Sequence, residues 1–463
     1  MKLPKEFIIR TKEQIGDEWT AFEQALNEES PVSIRLNPRK TSLEILSATL
    51  PLSEPIPWTT TGYYLNSRPS FTLDPLFHAG CYYVQEASSM MLEYFVRNYF
   101  PKPAKVLDLC AAPGGKSTHL SALLPAESLL IANEIIRSRA GVLSENLIKW
   151  GNPNTILTSN DPSEIGRSLP VFFDVVVADL PCSGEGMFRK DATTISEWSV
   201  NNIRLCAERQ RRIIADVWPA LKPDGILIYS TCTYNREENE ENLNWICREF
   251  NAELLEEPQR LMPHKIKGEG FFIAGIRKKR TSFPGQPAKG KSEKRKIKKG
   301  GSGIFHSSPF DCYLSSPTDF TFVINNARWI AIPIIHYSDY LQVNNNLRIL
   351  SAGVTLGEIK GKDMIPAHDL AMSNVLSKAA FPRWELDKKT ALNYLRKEVL
   401  QNISSDLPKS YILIIYEGYP LGFIKNIGTR GNNLYPQEWR IRRVHFKLSH
   451  LVIARTKSEA IQK

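Results

Sequence analysis

The chain has 463 residues, 42% of them hydrophobic and 23% charged, with a formal net charge of +10. That length suits roughly three domains and a large buried core; the apolar run Phe7-Ile8-Ile9 is too short for a secretory signal and no stretch approaches a membrane span, so a cytoplasmic protein is expected. The seven cysteines are odd in number and include no Cys-x-x-Cys pair, which argues against a disulfide framework or a zinc ribbon, and no metal site is expected.

In chain order, an amphipathic helix is predicted near Glu13 to Leu26, then a strand at Ser33-Ile-Arg-Leu-Asn37 and aromatic-rich loops through Tyr82-Tyr-Val-Gln85. From 105 to 230 the pattern becomes strand then helix, repeated. The strands are Val106-Leu-Asp-Leu109, Leu129-Leu-Ile-Ala132, Thr155-Ile-Leu-Thr158, Phe173-Asp-Val-Val-Val-Ala178 and Gly225-Ile-Leu-Ile-Tyr229. Short apolar strands covered by helices predict a parallel α/β sheet. Arg277 to Lys299 holds eleven basic residues against one acid, Glu293, an excess of ten that equals the charge of the whole chain. Rich in Gly, Ser and Pro and poor in apolar residues, it is predicted to be a disordered linker. Such a run attracts phosphate backbone by counterion release. Further on, Gly353-Val-Thr-Leu-Gly-Glu-Ile-Lys360 and Gly418-Tyr-Pro-Leu-Gly-Phe-Ile-Lys425 agree at five of eight positions and both read as strand-turn-strand. Tyr411 to Tyr416 reads as a strand, and Trp439-Arg-Ile-Arg-Arg443 is basic and aromatic, as an RNA contact would be.

Ligands of an open α/β sheet bind outside the carboxyl ends of its strands. Asp108 to Lys116 follows the first strand, Asn133-Glu134 the second, Asn160-Asp161 the third, Asp179 to Cys182 the fourth and Thr231-Cys232-Thr233 the fifth. Any one of these could be a helix cap or a turn; five together point to a site. Gly114-Gly-Lys-Ser117 could end a phosphate-binding loop, but the first glycine of that pattern would fall at Cys110. An NTPase is therefore the lesser choice. A glycine turn from strand to helix suits a nucleotide-like cofactor, and Glu134 suits its ribose diol, although an acidic cap looks the same. A cysteine beside such a site can be a nucleophile. Elsewhere a lone cysteine is an inert small hydrophobe, the expectation for Cys81, Cys206, Cys247, Cys312 and the side chain of Cys110.

Asp108-Leu-Cys-Ala-Ala-Pro-Gly-Gly-Lys-Ser117, Asp179-Leu-Pro-Cys-Ser-Gly-Glu-Gly186 and Ser230-Thr-Cys-Thr-Tyr234 resemble, in order, the motifs of the Nop/Sun-type RNA cytosine-5 methyltransferases. The resemblance covers about 30 to 277, and Pro263 to Phe272 and Asn433 to Arg440 are similar to that family's bacterial ribosomal-RNA branch. It implies an α/β fold: a Rossmann-like S-adenosylmethionine-dependent methyltransferase sheet over 101–277 with an N-terminal RNA-side α+β domain over 1–100; composition and patterning add the basic linker over 278–303 and a small α/β module over 304–390, and 391–463 resembles a PUA-like RNA-binding domain. Carried over by position, Cys110, Ala111, Ala112, Pro113, Gly114, Gly115 and Lys116 would hold the methionine moiety of S-adenosylmethionine, Glu134 the ribose and Asp161 the adenine. Cys232 would attack carbon 6 of cytosine, Cys182 would assist release, and Asp179, between cofactor and base, would hydrogen-bond the base edge. Lys190 could position the base or lower a thiol pKa. Arg35 to Lys40 and Tyr82 to Ser88 resemble RNA-side elements suited to phosphate contact and stacking, and Gly268 to Phe272 a turn that brings aromatics to the base. The expected partner is RNA, single-stranded or locally opened, and by resemblance ribosomal RNA, naked or in an assembling small subunit. A monomer is expected. The alternatives are an exocyclic-amine RNA methyltransferase, which would not need Cys232, and a non-catalytic ribosome-assembly factor.

Overall fold

The structure, a computed structural model, describes residues 1–280 and 305–442. Most of the expected 278–303 linker, and Arg443, lie outside the described residues.

The helix predicted near 13–26 is instead two, Lys5–Ile15 and Trp19–Asn27. They part at Gly16, whose φ of +57° suits a residue without a Cβ. Their apolar faces bury Phe7, Phe22 and Leu26 against Phe188, Trp198 and Tyr234 of the next layer. A four-stranded antiparallel sheet follows, built from β1 (Val32–Leu36), β2 (Leu52–Pro55), β3 (Gly62–Leu65) and β4 (Tyr82–Val84) in the order β2-β3-β1-β4.

Among the described residues the central sheet has nine strands. β5 (Lys105–Asp108), β6 (Leu129–Asn133), β7 (Thr155–Thr158), β8 (Phe173–Asp179) and β9 (Leu221–Thr231) are parallel in the order β9-β8-β5-β6-β7. Their Val, Ile and Leu runs are buried because helices cover both faces. Beyond β9, β10 (Ala252–Leu254), β11 (Gln259–Leu261) and β12 (Phe271–Lys278) extend the sheet, β12 antiparallel to β9.

β13 (Phe320–Asn325) and β14 (Arg328–Pro333) open the C-terminal part. β15 (Ile349–Ala352) then leaves it to pair antiparallel with β7 as the far edge of the central sheet. β16 (Val354–Lys360) and β17 (Asp363–Pro366) complete the sheet β13-β14-β16-β17. The last sheet, of β18 (Arg383–Glu385), β19 (Tyr411–Tyr416), β20 (Tyr419–Asn426) and β21 (Gly431–Asn433), pairs β18 parallel to β19. The two similar eight-residue segments are β16 and β20, each one bulged strand rather than strand-turn-strand. The register shifts at the same place in both, next to Gly357 and Gly422. A Cβ on Gly422 would lie 2.3 Å from the Tyr394 hydroxyl, so a bulge with glycine is what fits. Val323, Ile332, Val343 and Ala352 join the core of the central sheet, while Ile412, Ile414 and Tyr435 join that of the N-terminal sheet. Among the described residues, no helix is long and apolar enough to cross a membrane.

Candidate active site

The order of the parallel strands reverses between β5 and β8, and crevices at such a point hold the ligands of doubly wound sheets. β5 ends at Asp108, and the loop to the helix Gly115–Leu123 is pinned from three sides. Ala111 N donates to Asn133 O at 2.9 Å, Arg139 Nη2 to Ala112 O at 2.8 Å and Asn146 Nδ2 to Pro113 O at 2.8 Å. Gly114 turns the chain at a φ of +118°, and a Cβ there would press on Asn146 and Leu143 at 3.2 and 3.3 Å. Asn133 draws neighbouring strand ends together: Nδ2 reaches Leu109 O and Asn160 O, and Oδ1 accepts from Thr158 Oγ1 and Asn160 N. Arg348, just before β15, donates its N–H to Asn160 Oδ1 at 3.0 Å.

Two buried carboxylates stand at the strand ends of this crevice, each with one oxygen that accepts no hydrogen bond. Asp108 is fully buried; Oδ2 accepts from Ser117 Oγ at 2.6 Å, and Oδ1 has no hydrogen-bond partner. Glu134 Oε1 accepts from Ile136 N at 2.9 Å, while Oε2 lies 3.4 Å from Arg139 Nη1 without a hydrogen bond. Buried acceptors left open are rare and costly, so the pair fits a ligand that brings donors, such as an ammonium group and a ribose diol. Asp161, exposed, caps the helix Pro162–Ser168 through Ser163 N at 2.9 Å. Burial, aided by Glu134 and Asp108, pushes the Cys110 thiol far up; burial, against Lys40 and Arg209, pushes those of Cys81 and Cys206 up to about 12. These three sulfurs are unreactive at neutral pH.

Parallel pairing sets Asp179 against Ser230, so the segments that follow run side by side and bring Cys182 Sγ to 3.3 Å from Cys232 Sγ. Asp179 Oδ1 accepts from Ser230 Oγ at 2.9 Å, and Oδ2 pairs with Lys116 Nζ at 2.9 Å. Lys116 therefore brings its side chain as well as its backbone to the site. Burial disfavours its charge, but Asp179, Asp108 and Cys232 together outweigh burial and hold the ammonium above its usual range. Two buried glutamates that the sequence reading missed join the cysteine segments. Glu185 Oε2 accepts from Thr233 Oγ1 at 2.7 Å, Tyr234 N at 2.7 Å and Asn235 N at 3.0 Å. Glu238 accepts from Ser183 N at 3.1 Å, Asn235 Nδ2 at 2.8 Å and Gln210 Nε2 at 2.7 Å.

Several residues expected to meet RNA do other work. Arg35 is fully buried: Nε donates to Gln85 Oε1 at 2.9 Å and Nη2 to Thr118 Oγ1 at 2.6 Å, and the guanidinium stacks on Trp150. It braces the helix of the glycine loop from β1. Lys40 Nζ is spent on the carbonyls of Ala79 and Lys149, and Tyr82 on Asp74. Arg39 is exposed. Phe272 is core, and Phe271 lies under Lys116 with Nζ 4.9 Å from its ring centre. Lys190 stands 3.6 Å from Glu269, whose carboxylate also accepts from Arg189 Nε at 2.7 Å.

A doubly wound sheet with a glycine turn at its switch point, buried carboxylates beside it and paired cysteines across from it defines an S-adenosylmethionine-dependent methyltransferase. Three family models match: "16S rRNA methyltransferase RsmB/F" over 101–277, "N-terminal domain of 16S rRNA methyltransferase RsmF" over 3–87 and "Methyltransferase RsmF PUA domain" over 381–441. The chain belongs to this RsmF family of RNA methyltransferases. It is 30% identical over 436 residues, 88% of this chain and 90% of the relative, to the ribosomal RNA small subunit methyltransferase F of Erwinia tasmaniensis. The match to the methyltransferase F of Pectobacterium atrosepticum is 38% identical over 273 residues, 53% of this chain and 56% of that protein. Among solved structures, a methyltransferase homolog protein from Pyrococcus horikoshii aligns with a TM-score of 0.52 at 32% identity, over 59% of this chain and 95% of that one.

Proposed function

We propose that this protein methylates carbon 5 of a cytosine in small-subunit ribosomal RNA, with Cys232 as nucleophile and Cys182 in the release step. The 3.3 Å approach of two sulfurs at adjacent strand ends, beside the cofactor crevice, carries this reading. S-adenosylmethionine, when bound, supplies an electrophilic methyl carbon. Asp108 and the glycine loop suit its amino-acid end, Glu134 its ribose, and Asp161 would meet its adenine.

Carbon 5 of cytosine is a poor nucleophile. In this reading the Cys232 thiolate adds to carbon 6 and makes carbon 5 electron-rich. Asp179 and Lys116 meet the base edge and the charge that develops as the ring saturates. Once carbon 5 carries the methyl group, a base takes its proton, the freed pair restores the carbon 5–carbon 6 double bond, the carbon 6–sulfur pair leaves with Cys232 as thiolate, and Cys182 assists that elimination. The base must be reached from its face, so the substrate is unpaired or opened RNA. The N-terminal domain and the C-terminal modules would hold that RNA around the site, and the protein would act as a cytoplasmic monomer, which size-exclusion chromatography tests.

Cys232→Ala is expected to abolish methyl transfer while cofactor binding survives; normal turnover by that variant sinks the covalent mechanism and favours an exocyclic-amine target. Cys182→Ala is expected to transfer the methyl group but accumulate a protein–RNA adduct that runs slowly on a denaturing gel. Bisulfite sequencing of ribosomal RNA, with and without the protein, identifies the base: one or a few cytosines losing protection support ribosomal RNA, and an unchanged map refutes that substrate.

A further inference from the structure

Resting on the cysteine roles above, we propose that Glu185 and Glu238 are positioning residues, a reciprocal clasp in which each glutamate governs the step of one cysteine. The contacts cross over. Glu185 lies three residues beyond Cys182, yet its carboxylate binds the segment after Cys232: the Thr233 hydroxyl and the N–H groups of Tyr234 and Asn235. Glu238 lies six residues beyond Cys232, yet it accepts from the N–H of Ser183, next to Cys182. A rung joins the two segments between Ser183 Oγ and Thr233 Oγ1 at 2.8 Å. Gly186 N also donates to Cys232 O at 2.9 Å, and a Cβ on Gly186 would lie 2.9 Å from that oxygen. The segments touch backbone to backbone.

Burying two carboxylates is costly unless donors satisfy them. Here the donors are N–H and O–H groups of the partner segment, and bonds to a charged acceptor are the strong kind. Burial pushes the Glu238 carboxyl up to about 7 even against the donors from Ser183 and Asn235. A fold that needed only to close these loops could do so with neutral groups. What two crossed carboxylates add is a fixed spacing between residues 182 and 232, which follow the ends of different strands. Glutamine is nearly isosteric but presents an NH2 group to donors, leaving N–H groups unmet. Loss of the Glu238 contact frees the Cys182 side, while Cys232 stays anchored through β9 and Glu185. Loss of the Glu185 contact frees the Cys232 side.

The test compares Glu185→Gln and Glu238→Gln with Cys182→Ala and Cys232→Ala in the full-length protein. Cofactor affinity, single-turnover methyl transfer and covalent adduct are measured on ribosomal RNA. Glu238→Gln is expected to keep cofactor affinity and first-turnover transfer but to accumulate adduct, with steady-state turnover down about tenfold or more. Glu185→Gln is expected to lose transfer and adduct together, on the order of 100-fold, the scale of a 1 Å misplacement, again with cofactor affinity kept. Loops that merely support the fold would lower all readouts in parallel, and a wild-type ratio of adduct to product in both variants overturns the clasp. If a glutamine variant fails to bind cofactor, Thr233→Val is read instead, since it removes the rung and one donor to Glu185. Slower adduct formation at unchanged cofactor affinity supports the clasp, and wild-type adduct kinetics overturn it. If Cys232→Ala still methylates, the cysteine reading has failed and the clasp with it; if the cysteine variants behave as expected and the glutamates do not follow them, the clasp alone has failed.

Discussion

Asp108 is fully buried, and burial pushes its carboxyl from an ordinary 3.8 up to about 7 against the hydrogen bond from Ser117 and the nearby charge of Lys116. The folded chain therefore holds a proton there that the unfolded chain gives up, and a raised carboxyl makes stability fall as pH rises from about 4 to about 7. Asp108→Asn keeps the shape and the acceptor for Ser117 but cannot titrate. Urea unfolding at pH 5 and pH 8 is expected to show the wild type losing roughly 2 kcal/mol more than this variant across that interval. Equal losses in the two proteins would mean that Asp108 is ionised throughout. Residues of this kind were only half legible. Asp108, Glu134 and the two cysteines could be picked out because polar or reactive groups ended apolar runs. Glu185 and Glu238 could not, because their roles rest on contacts across 48 to 55 residues. Arg35 misled for the same reason: nothing within its strand says that it reaches Thr118, 83 residues on, rather than a phosphate.

At the scale of elements, the five parallel strands were readable because each is a short apolar run buried on both faces, and the site lies where their ends meet. Antiparallel additions were not. The sequence places Phe271 and Phe272 in a turn, and nothing local says that they open β12 and that β12 lies against β9; β15, four residues from another module, closes the opposite edge. One local demand falls in the glycine loop itself, at Gly114, which caps the helix Gly115–Leu123 with φ at +118°. Gly114→Ala should cost about 1–3 kcal/mol in unfolding free energy from backbone strain alone, and more in function, because the loop must shift off Asn146 and Leu143. Titration with S-adenosylmethionine or its demethylated product is expected to show weaker binding than the stability loss explains. Unchanged affinity would show that this loop does not hold the cofactor.

Over the whole molecule, the C-terminal part is built into the rest. It shares one core with the central sheet and another with the N-terminal sheet, so the modules expected to meet RNA are fixed relative to the crevice. The positive charge is distributed differently. Outside Arg277 to Lys299 the chain sums to zero, and seven of the eleven basic residues fall between Lys289 and Lys299, outside the described residues. Long-range attraction for a polyanion therefore resides mainly in that segment, whereas selection of the base belongs to the folded site. Each single-strand phosphate neutralised contributes about 0.7 to the slope of log affinity against log salt. Replacing those seven lysines and arginines with glutamine should make the slope shallower by up to about 5 and weaken RNA binding at low salt at least tenfold. Cofactor affinity, melting temperature and turnover at saturating RNA should stay as in the wild type, since none of these depends on the encounter. A salt slope that does not change would assign the segment to solvent and return phosphate contact to the folded surface, where exposed residues such as Arg39 and Arg442 would have to supply it.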